Sequence, residues 1–110
     1  MPEPVCLAYC TCPDQDSAES IAEALVQERV AACVSIVPGV RSVYRWDDQV
    51  TQDSELLMLI KTTAARLPDL SAWVQALHPY EVPELIVQPI TDGFEPYLSW
   101  VRTCTEIDTP

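Results

Sequence analysis

The chain has 110 residues, of which 48% are hydrophobic and 21% charged, and its formal net charge at pH 7 is −11. This length and apolar content predict one folded domain over residues 1–110 and argue against disorder. Six basic residues stand against 17 acidic ones. Nucleic acids and anionic membranes attract clusters of Lys and Arg, so we expect no nucleic-acid partner and no membrane partner.

The apolar runs are shorter than a membrane span, and the opening segment MPEPVCLAYC has no basic residue ahead of its apolar ones. These features predict neither a transmembrane helix nor a secretory signal, and they indicate a cytoplasmic location. Five cysteines occur without a C-x-x-C pair or zinc-type spacing. We expect reduced thiols, with Cys33 and Cys104 as small core residues.

The first half of the chain predicts a strand, a helix and a long hairpin. Residues Val5–Cys12 form an apolar run that ends at a proline, as expected of a buried strand. Residues Pro13–Val30 place acidic side chains in a first helical turn and apolar ones at helical spacing. Residues Ala31–Trp46 and Asp53–Thr63 predict the two hairpin strands, joined by a tight Asp-Asp-Gln turn, with a bulge or bend at Pro38-Gly39.

The second half predicts a helix, a strand and a short final helix. Leu67–Leu77 has an apolar stripe and a proline near its start, and it must end at His78 because a residue before proline avoids helical angles. Glu84–Ile90 predicts a strand and Glu95–Thr103 a helix. The β-α-β-β-α-β order with a trailing helix predicts an α+β, ferredoxin-like sandwich with an antiparallel sheet.

One face of this predicted sheet has no cover. Both helices of the sandwich lie on the other face, yet apolar residues occur at odd and even positions of the strands. We expect oligomerisation to cover the open face, with the long hairpin as the connecting arm.

Four segments occur in the order AACVSIVPGVRSVYRW, SELLMLIKT, LHPYEVPELI and YLSWV. In sequence and spacing they resemble the CutA family of divalent-cation tolerance proteins, from about Val5 to Thr103. The resemblance implies a single CutA-like domain in a homotrimer whose sheets face inward, similar to PII nitrogen-regulatory signalling proteins. It also implies a role in tolerance of copper and other divalent cations. Where the turn of the family often holds glycine, this chain has Asp48.

The same resemblance implies copper ligands at a cysteine of the first strand and at two adjacent histidines before Pro-Tyr. These positions are Cys10, Leu77 and His78. Because leucine cannot bind a metal, Cys10 and His78 remain as candidate ligands for copper or another divalent cation. Strand alternation puts Cys12 on the face of Cys10, so the two thiolates would replace the missing histidine and prefer Cu(I).

His78 also has a purely structural interpretation. A histidine in the last turn of a helix interacts favourably with the helix dipole and bonds a free carbonyl. In a metal site, Glu81 would orient the ring, as carboxylates do for metal-bound imidazoles. The alternative for Glu81 is a solvated surface position.

A second hypothesis is a PII-like signalling trimer that binds a small molecule at a cleft between subunits. The candidate cleft residues are Tyr44, Trp46, Lys61, Tyr80, Glu81, Tyr97 and Trp100. The aromatic residues have core or interface packing as their alternative. Lys61 would pair with an anionic ligand or with Glu81 or Glu84.

A third hypothesis is an enzyme with Cys10, His78 and Glu81 as nucleophile, base and orienting acid. No glycine-rich phosphate loop accompanies them, and the chain has only two glycines. We therefore predict that the protein is not an enzyme and uses no organic cofactor. An abnormally low pKa of the Cys10 thiol would favour the opposite conclusion.

Overall fold

A computed structural model describes residues 2–107 of the chain. The strands pair in the order β2-β3-β1-β4, and every neighbouring pair is antiparallel. The predicted order of elements and the ferredoxin-like sandwich are confirmed. The elements are β1 (Val5–Cys12), α1 (Gln15–Gln27), β2 (Cys33–Trp46), β3 (Gln49–Thr63), a short 3-10 turn (Ala64–Arg66), α2 (Leu67–Leu77), β4 (Ile86–Pro89) and α3 (Glu95–Cys104).

Helix α1 begins and ends through its own capping groups. The Asp14 side chain accepts the backbone N–H three residues on, at 2.7 Å, which satisfies one of the free amides of the first turn. The helix ends three residues before the predicted Val30, because Arg29 adopts a left-handed φ of 60°. The amide of Val30 then returns to the Leu25 carbonyl at 2.9 Å.

The hairpin is longer than the sequence indicated, because β3 starts at Gln49 rather than Asp53. Its turn is Asp47-Asp48, with φ of 51° and 61°. Two positive φ angles in a two-residue loop match the right-handed twist of the flanking strands. The predicted irregularity at Pro38-Gly39 is confirmed by a register shift there, with Gly39 at φ 78°.

Part of this hairpin extends beyond the rest of the sheet. β1 ends at Cys12, opposite Leu56, whereas the pairing of β2 with β3 continues from Val40 and Glu55 to the turn. We call residues 40–55 the hairpin arm. In these residues the two strands pair only with each other.

The second half of the chain follows the prediction closely. α2 occupies the predicted Leu67–Leu77, and α3 is one residue longer than expected. β4 is shorter than the predicted Glu84–Ile90 because only Ile86–Pro89 pairs with β1, opposite Cys6–Tyr9. Within the described residues, none of the helices combines the length and the apolar character needed to cross a membrane.

The main core lies between the sheet and the helices α1 and α2. Alternation along β1 turns even-numbered side chains toward these helices. These side chains and their helix partners are at most 1% exposed: Ala8, Cys10, Cys12, Ile21, Leu25, Leu70 and Val74. Small residues on β1 therefore let both helices approach the sheet closely.

The opposite face of the sheet is covered only at one end. There α3 places Val101 against Val5 and Ala32 in a second buried cluster. Farther along this face, Val37 is 40% and Ile86 59% exposed. Within the described part of one subunit, this apolar surface remains open to solvent.

The Asp47-Asp48 turn predicts a stabilising substitution. An L-residue in the left-handed region costs about 1–2 kcal/mol that glycine does not incur. We expect Asp48→Gly to raise the free energy of unfolding by about 0.5–1 kcal/mol in chemical denaturation. Asp48→Asn is the control, because it removes the same charge and keeps a side chain. An equal or larger gain in Asp48→Asn would contradict the backbone explanation.

Candidate metal site and adjoining groove

Two buried thiols lie side by side at the end of β1. Cys10 and Cys12 are separated by one residue, so strand alternation turns both toward the helices, and each is 0% exposed. All five cysteines of the chain are free thiols. We expected Cys33 and Cys104 in the core, but both are only half-buried, unlike Cys10 and Cys12.

His78 completes this cluster from the other side. It ends α2 with extended backbone angles, φ −74° and ψ 138°, as expected of a residue before proline. Its ring is nearly buried, and Nε2 lies 2.7 Å from the Thr11 carbonyl oxygen. Nδ1 accepts the Tyr80 backbone N–H at 3.1 Å. The proton of the neutral ring therefore sits on Nε2 and is donated to Thr11.

These bonds differ from the capping role that the sequence suggested for His78. The backbone N–H, not the ring, bonds the helix carbonyl of Val74, at 2.9 Å. The ring instead reaches across to β1 and supplies a donor just beyond Tyr9, where the pairing with β4 stops. The Tyr80 amide, rather than the Glu81 carboxylate, orients the ring.

The three side chains are close enough to share one metal ion. The ligand atoms of Cys10, Cys12 and His78 all lie within 4.8 Å of one another, and Cys12 Sγ is 3.8 Å from His78 Nε2. Thiolate and imidazole ligands at usual zinc distances are about 3.5–4 Å apart in a tetrahedral site. The spacing fits a soft Cys₂His site. Leu77, which occupies the position of the other histidine, is 42% exposed.

The neighbouring thiols shift each other's pKa in opposite directions. The hydrogen bond between them raises the pKa of Cys10 and lowers that of Cys12. Burial and the charges of Cys12, Glu84 and Glu55 raise the pKa of Cys10 further. The first thiolate therefore forms at Cys12, beside the imidazole. A Cys10 thiol with a raised pKa and no exposure lacks the activation that a catalytic nucleophile needs.

A groove of about 700 Å³ adjoins this cluster, between the hairpin arm and the loop from α2 to β4. It brings together four of the predicted cleft residues, Tyr44, Trp46, Tyr80 and Glu81. Sequence analysis did not include Glu55, which also lines the groove. It belongs to the polar segment ahead of the apolar half of β3, a pattern typical of solvated residues, yet it is only 7% exposed.

Tyrosine hydroxyls connect this groove to nearby carboxylates. Tyr80 donates to Glu55 Oε2 at 3.1 Å, and Tyr44 donates to Asp53. Burial and the bond to Glu55 raise the pKa of Tyr80 to about 12. Both hydroxyls therefore remain protonated donors at neutral pH.

The other predicted cleft residues lie apart from the groove within one subunit. Lys61 is opposite Leu7 on β1, about 13 Å along the strand from Thr11 at the groove. Its ammonium donates to Ser35 Oγ at 2.6 Å, and it makes no ion pair with Glu81 or Glu84. Tyr97 and Trp100 pack against each other on α3, with ring centroids 5.5 Å apart.

Comparison with known proteins shows the family. A family model described as "CutA1 divalent ion tolerance protein" matches residues 6–104. The chain belongs to the CutA family. It is similar to the divalent-cation tolerance protein CutA of Thermus thermophilus, with 53% identity over 95 residues that cover 86% of this chain and 92% of the relative. The predicted family and its divalent-cation tolerance are thereby confirmed.

The match extends to eukaryotic CutA proteins and to solved structures. Protein CutA of Homo sapiens is 45% identical over 106 residues, which cover 96% of this chain and 59% of the human protein. The Thermus thermophilus structure superposes with a TM-score of 0.91 at 49% identity, covering 93% of this chain and 99% of its own. CutA1 of Oryza sativa gives 0.93 at 39% identity, covering 97% and 98%. Of these relatives, the Thermus thermophilus protein carries the name of a divalent-cation tolerance protein.

The hydrogen bonds of His78 predict a structural role that is independent of any metal. His78→Ala leaves the buried Thr11 carbonyl without its donor, which costs about 1–3 kcal/mol, and it also frees the part-buried Tyr80 amide, which water can reach. We expect a loss in that range in denaturant unfolding with chelator present. His78→Gln keeps an amide donor for Thr11 and should lose less. Equal stability of His78→Ala and the parent protein would show that these bonds contribute nothing.

Proposed function

We propose that the protein is a cytoplasmic CutA homotrimer that contributes to divalent-cation tolerance, above all of copper, by binding the ion through Cys10 and His78. The observation that carries this proposal is the convergence of three ligand atoms within 4.8 Å, with Cys12 as the third ligand. The mechanism is coordination, without chemistry on a substrate.

The donor set favours copper in its reduced state. Thiolates are soft ligands that select Cu(I), and an imidazole tolerates it well. Binding through Nε2 would require the ring proton to move to Nδ1, which ends the bonds with Thr11 and the Tyr80 amide. Both thiols would lose their protons, so the site would take up metal with proton release. A reducing compartment keeps both sulfurs and the metal in the required state, which supports the cytoplasmic location.

The open sheet face supports the homotrimer. Val37, Ile86 and the half-buried Leu57 and Leu59 form an apolar surface opposite α1 and α2, and α3 covers only one end of this face. An antiparallel sheet can leave one face in water only when that face is polar. Three such faces packed around an axis would bury this surface.

Metal binding is tested by titrating the reduced protein with Cu(I), Cu(II) and Zn(II) in competition with chelators. We expect one Cu(I) per subunit, bound more tightly than Cu(II), because two thiolates favour the softer ion. Cys10→Ser and Cys12→Ser should each weaken Cu(I) binding about tenfold or more. Cys33→Ser removes a thiol outside the cluster and serves as the control. Weak binding that no variant changes would assign the metal to the acidic surface instead.

The homotrimer is tested by the mass in solution. Val37→Asp places a charge on the open sheet face and should lower the trimer fraction in light scattering or sedimentation, because burying an unpaired carboxylate costs several kcal/mol. Val26→Asp is a matched control, since Val26 is 43% exposed but lies on α1. A trimer unaffected by Val37→Asp, or a monomeric parent protein, would contradict this assembly.

The groove beside the hairpin arm favours a second candidate function, that of a PII-like signalling trimer. Tyr44, Trp46, Tyr80 and Glu81 already line one concave surface. Lys61 and Trp100 would join the same cleft only from a neighbouring subunit. In this function the bound small molecule, rather than a metal, would be the signal.

A further inference from the structure

The groove combines aromatic walls with acidic groups. Its aromatic lining residues are Tyr44, Trp46 and Tyr80. Three carboxylates, Glu55, Glu81 and Glu84, line it as well. None of the described lining residues is Lys, Arg or His. A volume of about 700 Å³ is in the usual range of sites for small organic ligands.

Glu55 has no cationic partner within the described residues. Its residue is only 7% exposed, and Oε2 accepts one hydrogen bond, from the Tyr80 hydroxyl. Oε1 accepts no bond from the described residues. The ion pairs within those residues are Arg66–Asp69 and Arg102–Glu95, neither of which involves Glu55. Within the described residues the enclosed polar atom without a partner is Arg66 Nε, so Oε1 of Glu55 is open to the groove, where a cation can pair with it.

A metal ion does not fit this charge well. Hard cations require several oxygen ligands at about 2.0–2.6 Å from one centre. The three glutamates do not form such a group, and within the described residues only Cys10, Cys12 and His78 do. An alkylammonium or guanidinium ion has different requirements. It needs one carboxylate and gains further attraction from the faces of aromatic rings.

We propose that the groove binds a small organic cation, an alkylammonium or guanidinium compound, whose charged group pairs with Glu55 against the aromatic walls. This inference deepens the second candidate function and rests on it, because it names the class of molecule that the signalling trimer would bind. The ligand completes the shell of Glu55 at Oε1, while Tyr80 continues to hold Oε2.

The walls of the groove come from one subunit. Tyr44, Trp46 and Glu55 belong to the hairpin arm, while Tyr80 and Glu81 belong to the loop that follows α2. The charged group of a ligand can therefore reach the carboxylate and the rings without a neighbouring chain. The competing source of the cation is Lys61 of a neighbouring subunit, and in that case neither free cation would bind the trimer in calorimetry.

Calorimetry with matched probes tests this proposal on the reduced, metal-free protein. Choline and agmatine supply an alkylammonium and a guanidinium group, and 3,3-dimethylbutan-1-ol has the shape of choline without its charge. We expect choline or agmatine to bind about tenfold or more tightly than the neutral alcohol. Equal binding of choline and the alcohol, or no binding of either cation at millimolar concentration, would overturn the proposal.

Variants assign the binding to Glu55 and the aromatic walls. Glu55→Gln and Trp46→Leu should each reduce cation affinity about tenfold. Trp46 is 62% exposed, so its replacement leaves the fold intact. Glu23→Gln removes an exposed carboxylate of α1 and serves as the control for overall charge. Unchanged affinity in Glu55→Gln would refute the assignment.

Thermal unfolding without ligand gives an independent readout. Glutamine still accepts the Tyr80 hydroxyl but removes one of the three carboxylates that line the groove, so Glu55→Gln should raise the Tm of the ligand-free protein by reducing like-charge repulsion. A lower Tm would mean that the charge is already compensated, and it would overturn the proposal. The mass and the Cu(I) affinity of the same variant separate the outcomes. If Glu55→Gln loses cation binding but keeps the trimer mass and the Cu(I) affinity, the result bears on this groove alone. If it also loses the trimer or the copper binding, the result bears on the proposed function.

Discussion

The hydrogen bond from His78 to the Thr11 carbonyl holds the functional end of this molecule together. It ties the end of α2 to the last residues of β1 through a ring that is nearly buried. The same ring holds the Tyr80 amide, and the Tyr80 hydroxyl reaches Glu55 on the hairpin arm. One neutral imidazole thus positions the thiol cluster on one side and the groove on the other.

This bond also makes His78 a point of competition. Nε2 either donates its proton to Thr11 or binds a metal ion, but it cannot do both. A metal ion would have to compensate for the lost bond within the core. The proton of a metal-bound neutral ring lies on Nδ1, which could then no longer accept the Tyr80 amide, so a change at the thiol cluster would reach the groove through a single residue.

Much of the fold was predictable because its signals are local. Period-two alternation predicted which residues of β1 share a face, and the proline after His78 predicted the last residue of α2. The end of α1 was missed because it depends on a left-handed backbone conformation at Arg29. A charged residue does not indicate this conformation in the sequence. The early start of β3 was missed because the outer arm is polar and is held by cross-strand pairing rather than by burial.

The site was predictable only in part. The resemblance to CutA proteins indicated Cys10 and His78, and alternation added Cys12. The Thr11 carbonyl and the burial of Glu55 depend on how the loop after α2 folds back against the sheet, which no local pattern encodes. The sequence grouped Lys61, Tyr97 and Trp100 with the other candidate cleft residues. Within one subunit, however, these three lie apart from the groove.

The complete burial of Cys10 and Cys12 affects how fast an ion could enter or leave the site, rather than how tightly it would bind. An ion cannot reach two sulfurs that have no exposed surface unless the loop from His78 to Leu85 first moves aside. In the proposed metal site, entry and escape would then depend on the rate of that opening, which has to break the His78 bonds to Thr11 and Tyr80. Such a site would retain its ion through brief changes in the surrounding metal concentration rather than exchange it rapidly.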